Sequence, residues 1–97
     1  MATYITLVRY TQKGAESIKQ GPSRLDAAKQ AAKAAGAEIK QVFLVMGHYD
    51  AVVISEAKDD ETAAKLALAT GMQGNVRTET LRAFTEDEFR RMVATLP

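Results

Sequence analysis

The chain has 97 residues, 46% of them hydrophobic and 26% charged, with 13 basic against 12 acidic side chains. So even a balance excludes the concentrated basic footprint of a nucleic-acid or anionic-membrane binder. The absence of cysteine excludes a disulfide scaffold, a thiolate metal site, an iron–sulfur cluster and a cysteine nucleophile.

The length predicts one domain, residues 1–97, with a modest core, because a chain this short buries only about 60–65% of its unfolded surface. Its first ten residues alternate in polarity and lack a basic segment followed by an apolar block, so no signal peptide is expected. The apolar run from Val42 to Gly47 is far short of the roughly 18 residues of a membrane helix. The expectation is a soluble cytoplasmic protein.

Thr3 to Tyr10 predicts a first strand, with Ile5 and Leu7 on one face and Tyr4, Thr6, Val8 and Tyr10 on the other. Thr11 to Gly21 is irregular and has room for a short helical turn. Pro22 opens a long helix, since a proline in the first turn lacks only an N–H that would be unpaired. Leu25, Ala28, Ala32 and Ala35 form its buried stripe, and Gly36 is a natural cap in the left-handed region.

Glu38 to Met46 predicts a second strand, with Ile39, Phe43 and Val45 on one face and Val42, Leu44 and Met46 on the other. Ala51 to Glu56 predicts a third. Between them Gly47-His48-Tyr49-Asp50 reads as a tight hairpin turn, Gly47 accepting positive φ and Asp50 bonding its own backbone.

Lys58-Asp59-Asp60-Glu61 opens a second long helix, its acidic cluster suiting the helix N-terminus. Ala63, Leu66, Ala67 and Thr70 form its stripe, widened by Ala64 and Leu68, and Gly71 ends it. Gly74-Asn75 leads into a fourth strand, Val76 to Phe84. Thr85 with Glu88 predicts a capping box and Phe84 with Phe89 a hydrophobic staple. They open a last helix whose apolar face continues through Met92, Val93 and Leu96.

This order predicts an α+β fold. Two β-α-β crossovers joined by a hairpin make the ferredoxin-like βαββαβ arrangement, a four-stranded antiparallel sheet with both long helices on one face and a C-terminal helix added. One face of such a sheet should be polar. Here the two middle strands are apolar on both faces, so a second sheet is expected to cover the free one, in a homodimer or a higher oligomer.

Gly47-x-Tyr49-Asp50 between two apolar strands resembles the motif that names the GYD domain family. The acidic helix start Asp59-Asp60-Glu61 and the stretch Gly74-Asn75-Val76-Arg77-Thr78-Glu79-Thr80-Leu81-Arg82-Ala83-Phe84 resemble that family too, and the similarity runs from Tyr4 to about Phe89. The resemblance implies a small, stand-alone bacterial protein of the dimeric α+β barrel superfamily, which agrees with the two-faced strands. That superfamily includes cofactor-independent monooxygenases, lactone isomerases, haem enzymes and ligand-binding regulatory domains. At the level of fold alone this assigns no reaction.

Four residues are candidates for a ligand site: Tyr49, Asp50, Arg77 and His48. A carboxylate beside an imidazole can tune it as a general base, which makes His48 and Asp50 weak catalytic candidates against an exposed turn histidine. Tyr49 and Asp50 read first as structural. Arg77 and Glu79 share a face of the fourth strand and would bind an anionic or carbonyl group if that face is enclosed, or block further pairing if it is an edge. Tyr4, Thr6 and Tyr10, together with Phe43, would line either a pocket or a packed dimer core. No metal-ligand spacing, phosphate loop or nucleophile–base set is present, and the residues single out no particular cofactor.

The leading reading is a homodimeric small-molecule-binding domain, with a small enzyme of unassigned reaction as one form of it. The alternative is a non-catalytic oligomeric scaffold or stress-related binding module.

Overall fold

The computed structural model describes residues 1–97. Strand β1 (Ala2–Tyr10) leads through a short helix α1 (Gln12–Glu16) and a 3-10 turn at Ile18–Gln20 into helix α2 (Gly21–Ala34). Strands β2 (Ala37–Leu44) and β3 (Ala51–Ala57) follow, then helix α3 (Asp60–Met72), strand β4 (Val76–Ala83) and helix α4 (Glu86–Ala94). The strands form one antiparallel sheet in the order β2-β3-β1-β4. This is the expected ferredoxin-like arrangement. No helix is long and apolar enough to cross a membrane.

The alternation of β1 decides which face is covered. Tyr4 is buried with Ala32 of α2, Ala37 of β2 and Ala57 of β3, and Ile39, Ala63 and Leu66 pack around them. Three of those four core residues are alanines, so both helices can lie close to the sheet. The Tyr4 hydroxyl donates to Asp60 Oδ1 at 2.5 Å at the start of α3. That hydrogen bond, with burial added, raises the phenol above its ordinary pKa. Asp59 caps α3 by accepting from the Thr62 hydroxyl at 2.7 Å and the Thr62 N–H at 2.8 Å, which holds its carboxyl below the usual range. The capping box of α4 is complete, with Glu88 N–H donating to Thr85 and Thr85 N–H to Glu88.

The opposite face carries Ile5 and Leu7 of β1, their register partners Ile54 and Val52 of β3, Phe43 of β2 and Leu81 of β4. No element covers it. Helix α4 stands off the body, giving the molecule a long dimension of 52 Å, and leaves Phe89, Met92, Val93 and Leu96 in solvent. Only 8 of 97 residues are buried, so much of the apolar content of the chain lies outside its own core.

Several details differ from the sequence expectation. A bulge between Ile39 and Gln41 shifts the register of β2, which turns Ile39 to the helix side with Val42 while Phe43 faces away. An extra residue reverses alternation beyond it, so Phe43 does not join Tyr4, Thr6 and Tyr10, which face the helices. Strand β2 ends at Leu44, leaving a wider connection than a tight turn. Ala64 and Leu68 point outward, so the buried stripe of α3 is narrower than expected. Phe84 and Phe89, the pair expected to form a staple, both stay more than half exposed, and the Arg82 guanidinium lies 4.3 Å from the Phe84 ring centroid.

The irregular stretch after β1 folds as α1 because long-range contacts hold it. Thr11 N–H donates to Asn75 O at 3.1 Å and the Thr11 hydroxyl to Gly74 O at 2.6 Å. Lys13 Nζ donates to Gln73 O at 3.0 Å. Gly14 is buried against the Asn75 backbone, and a Cβ there would overlap the Asn75 carbonyl. Gly14→Ala is therefore expected to destabilise the fold by about 1–3 kcal/mol through overpacking. Urea unfolding should show a lower midpoint with an unchanged slope, and a midpoint equal to the wild type would contradict the contact.

Candidate binding face

The loop between β2 and β3 is built around Asp50. Val45 N–H donates to Asp50 O at 2.9 Å, and Asp50 N–H donates to Val8 O at 2.8 Å. Asp50 Oδ2 then accepts from Tyr10 N–H at 2.8 Å. The side chain thus extends the β1–β3 ladder beyond its last backbone pair, Val8–Ala51. The Asp50 side chain does not bond its own turn as expected; it ties the loop to a different strand. Gly47 takes φ +116°, the left-handed side that a side chain would strain.

Tyr49 is the residue this loop delivers to the open sheet face. Its hydroxyl donates to Glu79 Oε2 at 3.2 Å, and the Arg9 guanidinium lies 4.8 Å from its ring centroid, within cation–π range. Arg77 stands opposite Arg9 in the β1–β4 register. Neither arginine has a carboxylate within ion-pair distance. Leu7, Arg9, Tyr49, Arg77, Thr78 and Glu79 line a shallow hollow of about 240 Å³.

Of the four predicted residues, Tyr49 and Arg77 meet in this hollow. Asp50 lies behind it with its carboxylate spent on Tyr10. His48 is exposed, with no hydrogen-bond or ion-pair partner. The His48–Asp50 pairing considered for a general base does not form, because Asp50 turns toward β1. Arg9 was not singled out from sequence. Its signal is the register that sets it across from Arg77, which only the folded sheet reveals. Two guanidiniums with no ion-pair partner suit a carboxylate, while Glu79 in the same hollow already takes the Tyr49 hydroxyl. No three His, Asp or Glu side chains converge as a metal site would require.

A β2-β3-β1-β4 antiparallel sheet, with helices on one side and a bare apolar face edged by arginines on the other, defines a ferredoxin-like α+β domain. Residues 4–93 match the GYD domain, and the chain belongs to that family. It is 34% identical over 84 residues, 86% of this chain and 88% of the other, to a Thermus thermophilus protein named glutamine synthetase and cystathionine beta-lyase binding protein. The crystal structure of TTHA0845, also from Thermus thermophilus, is 30% identical with a TM-score of 0.51, covering 88% of this chain and 95% of that one. The crystal structure of MtbAldR superposes on 88% of this chain with a TM-score of 0.69 at 12% identity. This chain spans about half of MtbAldR, 52% of its length, and the likeness is one of fold.

The Gly-x-Tyr-Asp segment now has a physical reading: Gly47 makes the bend, Asp50 fastens it to β1, and Tyr49 reaches the open face. Asp50→Ala is expected to cost about 1–3 kcal/mol, because Tyr10 N–H loses a charged acceptor. A fall in melting temperature would show this, and Asp50→Asn should recover part of it. An unchanged melting temperature for Asp50→Ala would contradict the ladder role.

Proposed function

We propose that this chain is a homodimeric protein-binding module. In this reading a second copy takes the open sheet face and a partner enzyme takes the α4 arm. The observation that carries the reading is the solvent exposure of side chains large enough to build a core: Phe43 is 49% exposed and Leu81 46% on the sheet, and Phe89 is 59% exposed on α4. Apolar faces of this kind mark interfaces. The amphipathic arm has no seat on its own molecule, which suits helix-in-groove docking. The Thermus relative is named for binding two enzymes, and the partner proposed here is of that kind, a glutamine synthetase or a cystathionine beta-lyase.

A second reading keeps a small carboxylate ligand in the hollow between Arg9, Tyr49 and Arg77. The absence of carboxylate partners for those arginines is what favours it. Extra mass retained on the purified protein in native mass spectrometry would support it.

The leading reading is tested by size-exclusion chromatography with light scattering, using the chain and each of the two purified enzymes from the same organism. Co-elution with one of them is expected. Phe89→Asp should abolish it while leaving the mass of the chain alone unchanged. Failure to bind either enzyme would contradict the proposal.

A further inference from the structure

The open sheet face is charged in opposite senses at its two ends. Arg9 on β1 and Arg77 on β4 are register partners at one end. Glu38 on β2 and Glu56 on β3 are register partners at the other. By strand alternation all four share the face of Leu7, Val52 and Ile54. Along β1, Thr3 marks the acidic end as the partner of Glu56, and six residues separate it from Arg9, about 20 Å.

Like charges directly opposed on neighbouring strands destabilise their pairing, and this chain does little to relieve either pair. The arginines have no ion-pair partner, and Glu56 has none. Glu38 has only the exposed Lys40, at 3.7 Å, a contact worth little in water. Glu79 sits at the basic end, hydrogen-bonded to Tyr49. Two arginines against Glu79 still leave that end positive, and Glu38 and Glu56 against Lys40 leave the other negative. The Tyr49 ring beside Arg9 holds one guanidinium in place.

We propose that the open face pairs with a second copy of this chain in one orientation, with Arg9 and Arg77 of each copy over Glu38 and Glu56 of the other. This rests on the self-association reading above and adds the register that the charges impose. Two identical sheets packed face to face are related by a two-fold axis lying between them. An axis across the line joining the two charged ends brings opposite charges together. An axis along that line would stack arginine on arginine and glutamate on glutamate. The first arrangement also lays the apolar rows of both copies against each other, and water excluded by them strengthens the ion pairs at the ends.

The test is charge reversal followed by mixing, read by native mass spectrometry with circular dichroism as a check on folding. One variant carries Arg9→Glu and Arg77→Glu; the other carries Glu38→Arg and Glu56→Arg. The wild type should appear at twice the 10.5 kDa chain mass, and each variant alone as a monomer. An equimolar mixture should return a dimer made of one chain of each, because both of its ends are then complementary. A chain carrying all four changes should again pair with itself, which keeps the test decisive if either variant folds poorly alone. Variants that stay dimeric alone, or a mixture that stays monomeric, would overturn the charge register while leaving self-association standing. A wild type that is monomeric throughout would sink the reading on which the inference rests.

Discussion

Middle strands apolar on both sides and helices enough for only one of them: that mismatch governs the structure. The covered side is built from small parts. Tyr4 sits among alanines from α2, β2 and β3, and no large side chain is fully enclosed. Transfer of apolar surface from water is the dominant favourable term in folding, and here a sizeable share of that surface is still in contact with solvent. The residues on the open side are not scattered. Ile5, Leu7, Val52 and Ile54 are register neighbours in the middle of the sheet and form one contiguous apolar patch.

The hairpin loop connects that bare face to the rest of the chain. Asp50 fastens the loop to β1 through Tyr10 N–H, and the same few residues swing Tyr49 over the face to Glu79 and Arg9. The loop therefore organises the basic end of the open face through backbone placement. Across the sheet, the Thr11–Gly14 corner locks onto Gly74 and Asn75 and sets where β4 begins. Arg77 follows two residues later, so this corner helps set its position opposite Arg9. Two loops distant in sequence thus converge on one cluster.

What was legible in the sequence was mostly local. The Asp59 cap, the Thr85–Glu88 box and the left-handed Gly36 each involve residues within one turn of one another, and each stands where its spacing puts it. The order of the elements followed from period and punctuation, and so did the covering of one sheet face only. What was hidden depends on partners far along the chain. One extra residue near Lys40 turned Phe43 away from the Tyr4 side. Helix α1 is held by the backbone of Gly74 and Asn75, at the other end of the sequence. Asp50 could satisfy its own turn on paper, yet bonds Tyr10. Tyr49 and Arg77 stand out as candidates in the sequence and the fold brings them to one hollow, whereas Arg9 gains meaning only through strand register.

Whether the open sheet face is an interface is tested most directly by sedimentation equilibrium of the wild type and of Ile54→Glu, a change at the centre of that face. The wild type should sediment at twice the 10.5 kDa chain mass. Ile54→Glu should be a folded monomer, since a charge in an apolar interface is left without a partner. A wild type that remains monomeric at every concentration, or an Ile54→Glu that dimerises as readily, would contradict an interface on this face.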